Sequence, residues 1–97
     1  MTLAEIKRRV QAGQVYDVTN HYIKRTDHPC FGTRHETIAE VNGSSFRFAS
    51  SRWGISWPKA AQAQMDADGT IRLYGGGAGQ AADELFLTLT PVPGDNR

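Results

Sequence analysis

IAEVNGSSFRF at residues 38–48 and AQMDADGTIRLY at residues 63–74 are the two stretches that decide the fold. In each, apolar residues alternate with polar ones on both sides of a short polar segment that contains glycine. This pattern is typical of a β-hairpin, two antiparallel strands joined by a tight turn. The chain is therefore predicted to be a small, mainly β protein.

The first hairpin has a predicted register. A four-residue loop at 42–45 pairs Val41 with Phe46, Ala39 with Phe48, and Glu40 with Arg47. A two-residue turn at 42–43 keeps the same apolar side chains on one face, but the ion pair and the apolar pairing favour the longer loop. A three-residue loop is rejected because it sets Glu40 opposite Phe46 and moves every side chain to the wrong face.

The second hairpin is predicted to turn through a three-residue loop at 67–69, with Gly69 at positive φ in the bulge position. This loop pairs Met65 with Ile71, Gln64 with Arg72, and Ala63 with Leu73. Alanine propensity also permits a helix over 59–65. The match of apolar with apolar and polar with polar residues favours the hairpin.

Other segments flank these hairpins. Thr2 and Glu5 have capping-box spacing, which predicts a helix over 2–12 that ends near Gly13. Strands are predicted over 14–23, 53–57 and 85–90, with loops over 24–33 and 75–80. Alternation puts three side chains of the 53–57 strand on one face and three of the last strand on the inner face: Trp53, Ile55, Trp57, and Leu85, Leu87, Leu89.

These elements predict a single domain over 1–91 and a flexible C-terminal tail over 92–97. Six short strands and one helix in 97 residues suggest a small antiparallel bent barrel or roll, SH3-like, with a short N-terminal α-helix. The strands starting at Trp53 and Leu85 are candidates for an open sheet edge, through which the chain can form a homo-oligomer.

Composition narrows the class of protein. Apolar residues make up 39% and charged residues 22% of the chain, and no apolar run is long enough to span a bilayer. One cysteine excludes an internal disulfide, and the first residues lack a signal-peptide pattern. A cytoplasmic protein is expected, without membrane association. The net charge of +1 combines +4 over residues 1–59 with −3 over residues 60–97.

Zinc-type ligands occur close together in the sequence, as His21, His28, Cys30 and His35. Their spacing fits no standard zinc signature, so no metal is predicted, and Cys30 is expected to be an ordinary half-buried thiol. The segment GAGQAA at 77–82 matches the residue pattern of a dinucleotide-binding motif, but that motif opens a helix, whereas a strand is predicted after this segment. No cofactor is predicted.

An enzyme is not expected, and no catalytic residue is assigned, because no catalytic motif is present. The leading enzymatic alternative is a metal-free ribonuclease, which needs an acid, a base and cations around a phosphate. The sequence supplies those residue types in one segment: His21, Tyr22, Lys24, Arg25, His28 and Arg34.

The remaining candidate is a basic and aromatic surface at Arg47, Arg52, Trp53 and Lys59. Trp, Tyr and Arg are common at protein-interface hot spots. Two Trp on one strand are a lot for so small a core, so at least one of them is expected near its rim. We therefore expect a non-catalytic adaptor or inhibitor that binds a protein partner, with an origin in a phage or other mobile element suggested by its size. A nucleic-acid-binding barrel is the alternative, although a charge near zero disfavours it.

Overall fold

The computed structural model describes residues 2–92. One helix, α1, spans Leu3–Arg9, and a 3₁₀ turn spans Ala60–Gln62. The seven strands are β1 Val15–Asn20, β2 Thr33–Val41, β3 Ser45–Phe48, β4 Ile55–Ser56, β5 Ala63–Met65, β6 Ile71–Tyr74 and β7 Leu85–Pro91. They form one antiparallel sheet in the order β4-β3-β2-β1-β7-β6-β5, which curls into a half-barrel. The predicted mainly β, bent barrel with an N-terminal helix is confirmed, and the SH3-like assignment stays a prediction.

The helix α1 begins as the sequence predicts. The Thr2 hydroxyl accepts a hydrogen bond from the Glu5 amide, and the Glu5 carboxylate accepts one from the Thr2 amide. Ile6 and Val10 are buried and join the core, and α1 packs on β5. The helix ends at Arg9 and not at residue 12, because Val10 is already extended. Gly13 follows at a φ of 93°.

The first hairpin follows the four-residue loop near its turn and departs from the prediction further away. Val41 pairs with Phe46 and Glu40 pairs with Arg47, as predicted. The predicted pairing of Ala39 with Phe48 is wrong, because the register shifts at Ala39 and Ile38 takes that place. Ile38 is buried and Ala39 only half-buried. A β-bulge thus keeps the larger apolar side chain in the core.

The second hairpin has the predicted register throughout. Its three cross-strand pairs are Ala63 with Leu73, Gln64 with Arg72, and Met65 with Ile71. Gly69 has a φ of 89°, and its amide donates to the Asp66 carbonyl oxygen over 3.0 Å. Of the alternative helix over 59–65, the structure contains only the 3₁₀ turn that precedes β5. Because both strands of this hairpin are close in sequence, local pairing was enough to specify it.

Other strands are shorter than predicted or lie elsewhere in the sheet. β1 ends at Asn20, whose side-chain oxygen accepts from the amides of Tyr22 and Ile23 and turns the chain. β7 lies between β1 and β6, so the open edge predicted at Leu85 is wrong. The edge predicted at 53–57 exists, but only as the two residues of β4. The other edge is β5.

The core lies inside the curl of the sheet and is closed at one end by α1. Its most deeply buried side chains are Phe46, Ile6, Ile38, Ile71, Leu73 and Leu89. The chain stays on the sheet as far as Val92, whose amide donates to the Val15 carbonyl oxygen over 3.2 Å. The rest of the predicted tail, residues 93–97, lies outside the described residues. Across residues 2–92, no helix is long and apolar enough to cross a bilayer.

Candidate functional site

The two tryptophans near β4 have different roles. Trp57 packs on Phe46, with ring centroids 4.6 Å apart, and its indole N–H donates to the Asn42 carbonyl oxygen over 3.0 Å. Trp53 lies before β4 in a bend held by a hydrogen bond of 3.1 Å from its amide to Ser51 Oγ. Trp53 is 75% exposed, the most of any large apolar residue described. The prediction that Trp53 lies on one strand face with Trp57 is therefore wrong, and a tryptophan at the rim is confirmed.

The ion pair predicted between Arg47 and Glu40 is confirmed, so Arg47 is not a free cation of the candidate surface. Its guanidinium pairs with Glu40 across the hairpin over 2.7 Å and donates to the Ser51 carbonyl oxygen over 2.8 Å. These two contacts tie β3 to the segment that precedes Trp53. Arg47 therefore supports the bend structurally, and its charge is compensated.

Arg52 and Lys59 are exposed and bracket β4 in the sequence. Within residues 2–92, neither has a carboxylate at ion-pair distance. The four predicted residues do not share one pocket. Arg47 and Arg52 line one small cavity, Trp53 lines a second and Lys59 a third, and Gly54 borders all three. The structure thus arranges the predicted residues around the β4 segment.

The largest of these cavities is a cleft of about 510 Å³ between β4 and the end of β6. Ile55, Trp57 and Phe86 supply much of its apolar lining, and Ser56 and Lys59 lie on its β4 side. Local sequence patterns do not predict this cleft, because its walls come from segments far apart in the chain.

The cavity beside Trp53 has a volume of about 300 Å³ and combines apolar side chains with a polar end. Arg34 and Ser50 line it, and both contact Glu36, which is only 4% exposed. Ser50 Oγ donates to Glu36 Oε1 over 2.6 Å. Arg34 Nη2 lies 2.5 Å from Glu36 Oε2, off the direction of a hydrogen bond, so this contact is an ion pair without one. Sequence analysis missed Glu36, although alternation places it on the same strand face as buried Ile38.

The histidines and Cys30 do not converge. His21 Nε2 is hydrogen-bonded to Thr88 Oγ1 over 2.8 Å, His28 Nδ1 accepts from the Cys30 amide over 3.0 Å, and His35 pairs with Asp17. Burial, and then the charge of Lys24, lower the pKa of His21. Among residues 2–92, no group of three His, Cys, Asp or Glu side chains is placed to hold a metal.

The glycine run after β6 provides close packing. A Cβ at Gly76 would collide with the ring of Phe86, and one at Gly77 with the ring of Tyr22. Those two rings contact each other edge to face, with centroids 6.3 Å apart. The run therefore lies directly against aromatic side chains, an arrangement that requires residues without side chains.

No protein-family model matches the chain, and comparisons with curated proteins and with solved structures find no significant similarity.

Proposed function

We propose that this protein is a non-catalytic binding domain that engages a protein partner through Arg52, Trp53 and Lys59, termed here the Trp53 surface. One observation carries the proposal: Trp53 is 75% exposed, Arg52 precedes it in the chain and Lys59 lies at the other end of the β4 segment, and no described carboxylate pairs with either cation. Interfaces are anchored by aromatic and Arg side chains, and cations at the rim steer an oppositely charged partner. The partner surface is therefore apolar at its centre and acidic around it.

The ion pairs favour a protein over a nucleic acid. Arg25 pairs with Asp27, Arg34 with Glu36 and Arg47 with Glu40. Three of the cations of residues 1–59, the basic part of the chain, are therefore compensated. Tight nucleic-acid binding draws on many phosphate contacts and a basic excess. The two cations of the Trp53 surface, which no described carboxylate pairs, suit a small acidic patch better. The ribonuclease alternative gains no support, because its two histidines contact different groups: His21 the Thr88 hydroxyl, and His28 the Cys30 amide.

An adaptor or inhibitor works by such a surface. A cytoplasmic location for this protein, and an origin in a phage or other mobile element, remain predictions from the sequence.

The test is affinity capture from the native cells, run with and without nuclease treatment, with three forms of the protein. The first is wild type, the second carries Arg52→Glu and Lys59→Glu, and the third is a matched control with Arg8→Glu and Arg9→Glu. Arg8 and Arg9 are exposed on α1 and lie outside the Trp53 surface. Arg47 is left intact because Glu at position 47 would face Glu40.

The proposal predicts a protein that wild type and the control retain and that the Arg52/Lys59 variant loses, with all three melting temperatures alike. Equal retention by all three forms contradicts it. Recovery of only nucleic acid, lost after nuclease treatment, establishes the alternative binding class instead.

A further inference from the structure

Within residues 2–92, no strand pairs with the edge of β4 that borders the cleft. On its other side, the Trp57 amide donates to the Ser44 carbonyl oxygen over 3.0 Å, so these two residues form a hydrogen-bonded pair with β3. Hydrogen-bonded and non-hydrogen-bonded pairs alternate along an antiparallel ladder. Ser56 therefore directs its own N–H and C=O away from β3, and so does Gly54, two residues earlier.

The sheet does not cover this edge itself. β4 and β5 lie at opposite ends of the strand order, and the cleft of about 510 Å³ separates β4 from the end of β6. An exposed edge of this kind is a ready template for another strand. The edge at β5 differs because α1 packs against that strand. The β4 edge is therefore the better acceptor of the two.

The surroundings of the β4 edge define the chemistry of its occupant. Ile55, Trp57 and Phe86 make the middle of the cleft apolar. Exposed Arg52 precedes β4 and exposed Lys59 follows it, without ion-pair partners among the described residues. Lys59 lines the cleft itself, whereas Arg52 lines the neighbouring cavity that shares Gly54 with it. A segment that runs along β4 and past Gly54 thus meets apolar side chains in its middle, Lys59 at one end, and at the other end Arg52, two residues before Gly54.

We infer that an extended segment of the partner, apolar in the middle and acidic at both ends, adds to the free edge of β4 as an extra strand. This inference rests on the proposed function and specifies its binding mode. In strand addition the main-chain hydrogen bonds provide affinity, and alternate side chains provide specificity. Pro58, two residues after Ser56 and so at the next outward position, lacks an amide donor and limits the new ladder to Gly54–Ser56.

The probe is a fluorescently labelled synthetic peptide of about six residues, a usual strand length, with valine and threonine alternating between terminal glutamates. Two further forms carry N-methyl groups on alternate amides, one form on the odd positions and the other on the even positions. Only every second amide of an added strand bonds to its host. One methylated form is therefore expected to bind at least about tenfold more weakly, and the other within about twofold of the parent peptide.

A protein variant provides the second arm. Ser56→Pro removes the outward amide of β4 at a position where an edge strand tolerates proline, whereas Ser56→Ala keeps that amide. The inference predicts that Ser56→Pro lowers the affinity for the peptide at least about tenfold and that Ser56→Ala does not. If Ser56→Pro fails to fold, the methylated peptides still test whether the peptide binds as an added strand.

Three results overturn the inference: no binding of the peptide, equal loss with both methylated forms, or equal competition by a glutamate–proline peptide that cannot form a strand. None of them concerns the capture experiment above. A partner that depends on Arg52 and Lys59 but not on strand addition would leave the proposed function standing and remove only this binding mode.

Discussion

Gly69→Val tests the β5–β6 hairpin, which orients one wall of the open cleft. Gly69 has a φ of 89°, in the left-handed region, where an L residue costs roughly 1–2 kcal/mol. A Cβ there would also lie 3.1 Å from Cγ of Pro91, at the end of β7. Strain and contact together give a loss of about 2 kcal/mol in the free energy of unfolding. For a domain of this size, that corresponds to a fall of about 8–16 °C in melting temperature.

Gly43→Val is the matched control for this measurement. Gly43 lies in the other hairpin loop, does not have a positive φ, and a Cβ there would meet nothing within 4 Å. Its substitution is expected to change stability by no more than about 0.5 kcal/mol. Urea unfolding followed by circular dichroism gives both values. Equal stability of the two variants would refute the assigned conformation of Gly69 and the contact with Pro91.

Three further predictions concern the polar groups of the fold. Arg34→Ala should lower the free energy of unfolding in urea by about 3 kcal/mol or more, because it leaves the buried Glu36 carboxylate without its cation. Glu36→Gln should lower it by less, because it removes that charge, and the reverse order of the two variants would contradict this prediction. Because the folded pKa of His21 is lowered, the stability from its neutral form is complete above the unfolded pKa of about 6.5 and is lost as the pH falls through the folded pKa. Urea midpoints at about pH 7.5 and about pH 5 should therefore differ less for His21→Asn than for wild type, and an equal difference would exclude His21 as a source of acid sensitivity. Elemental analysis should find no stoichiometric zinc, and one zinc per chain that is lost on Cys30→Ala would show that the ligands do converge.

Sequence reasoning succeeded where pairing is local. The register from Ala63 to Leu73 followed from matching side chains across a short loop, and Thr2 with Glu5 located the start of α1. It failed where partners are distant in the chain. β7 pairs with β1, some 70 residues earlier, and no local pattern places it in the middle of the sheet.

The candidate surface was predicted in part. Trp53 was identified from the sequence as part of the surface. Its exposure depends on the bend held by the Ser51 hydroxyl, and strand alternation does not predict that bend. The compensation of Arg47 was implicit in its predicted pairing with Glu40, and only the structure showed its second bond to the Ser51 carbonyl oxygen. The cleft was unpredictable, because it depends on how far the sheet curls.

Photo-crosslinking tests the central claim about the Trp53 surface most directly. A photoreactive benzoylphenylalanine replaces Trp53 in one sample and Ala67 in a control, and both proteins are irradiated in the native cells. Ala67 is exposed in the β5–β6 loop, at the end of that hairpin remote from Tyr74 and the cleft. We predict one major protein crosslink from position 53 that is absent from position 67 and is lost on Arg52→Glu with Lys59→Glu. Crosslinks to nucleic acid, or the same products from both positions, would contradict a protein-binding role for this surface.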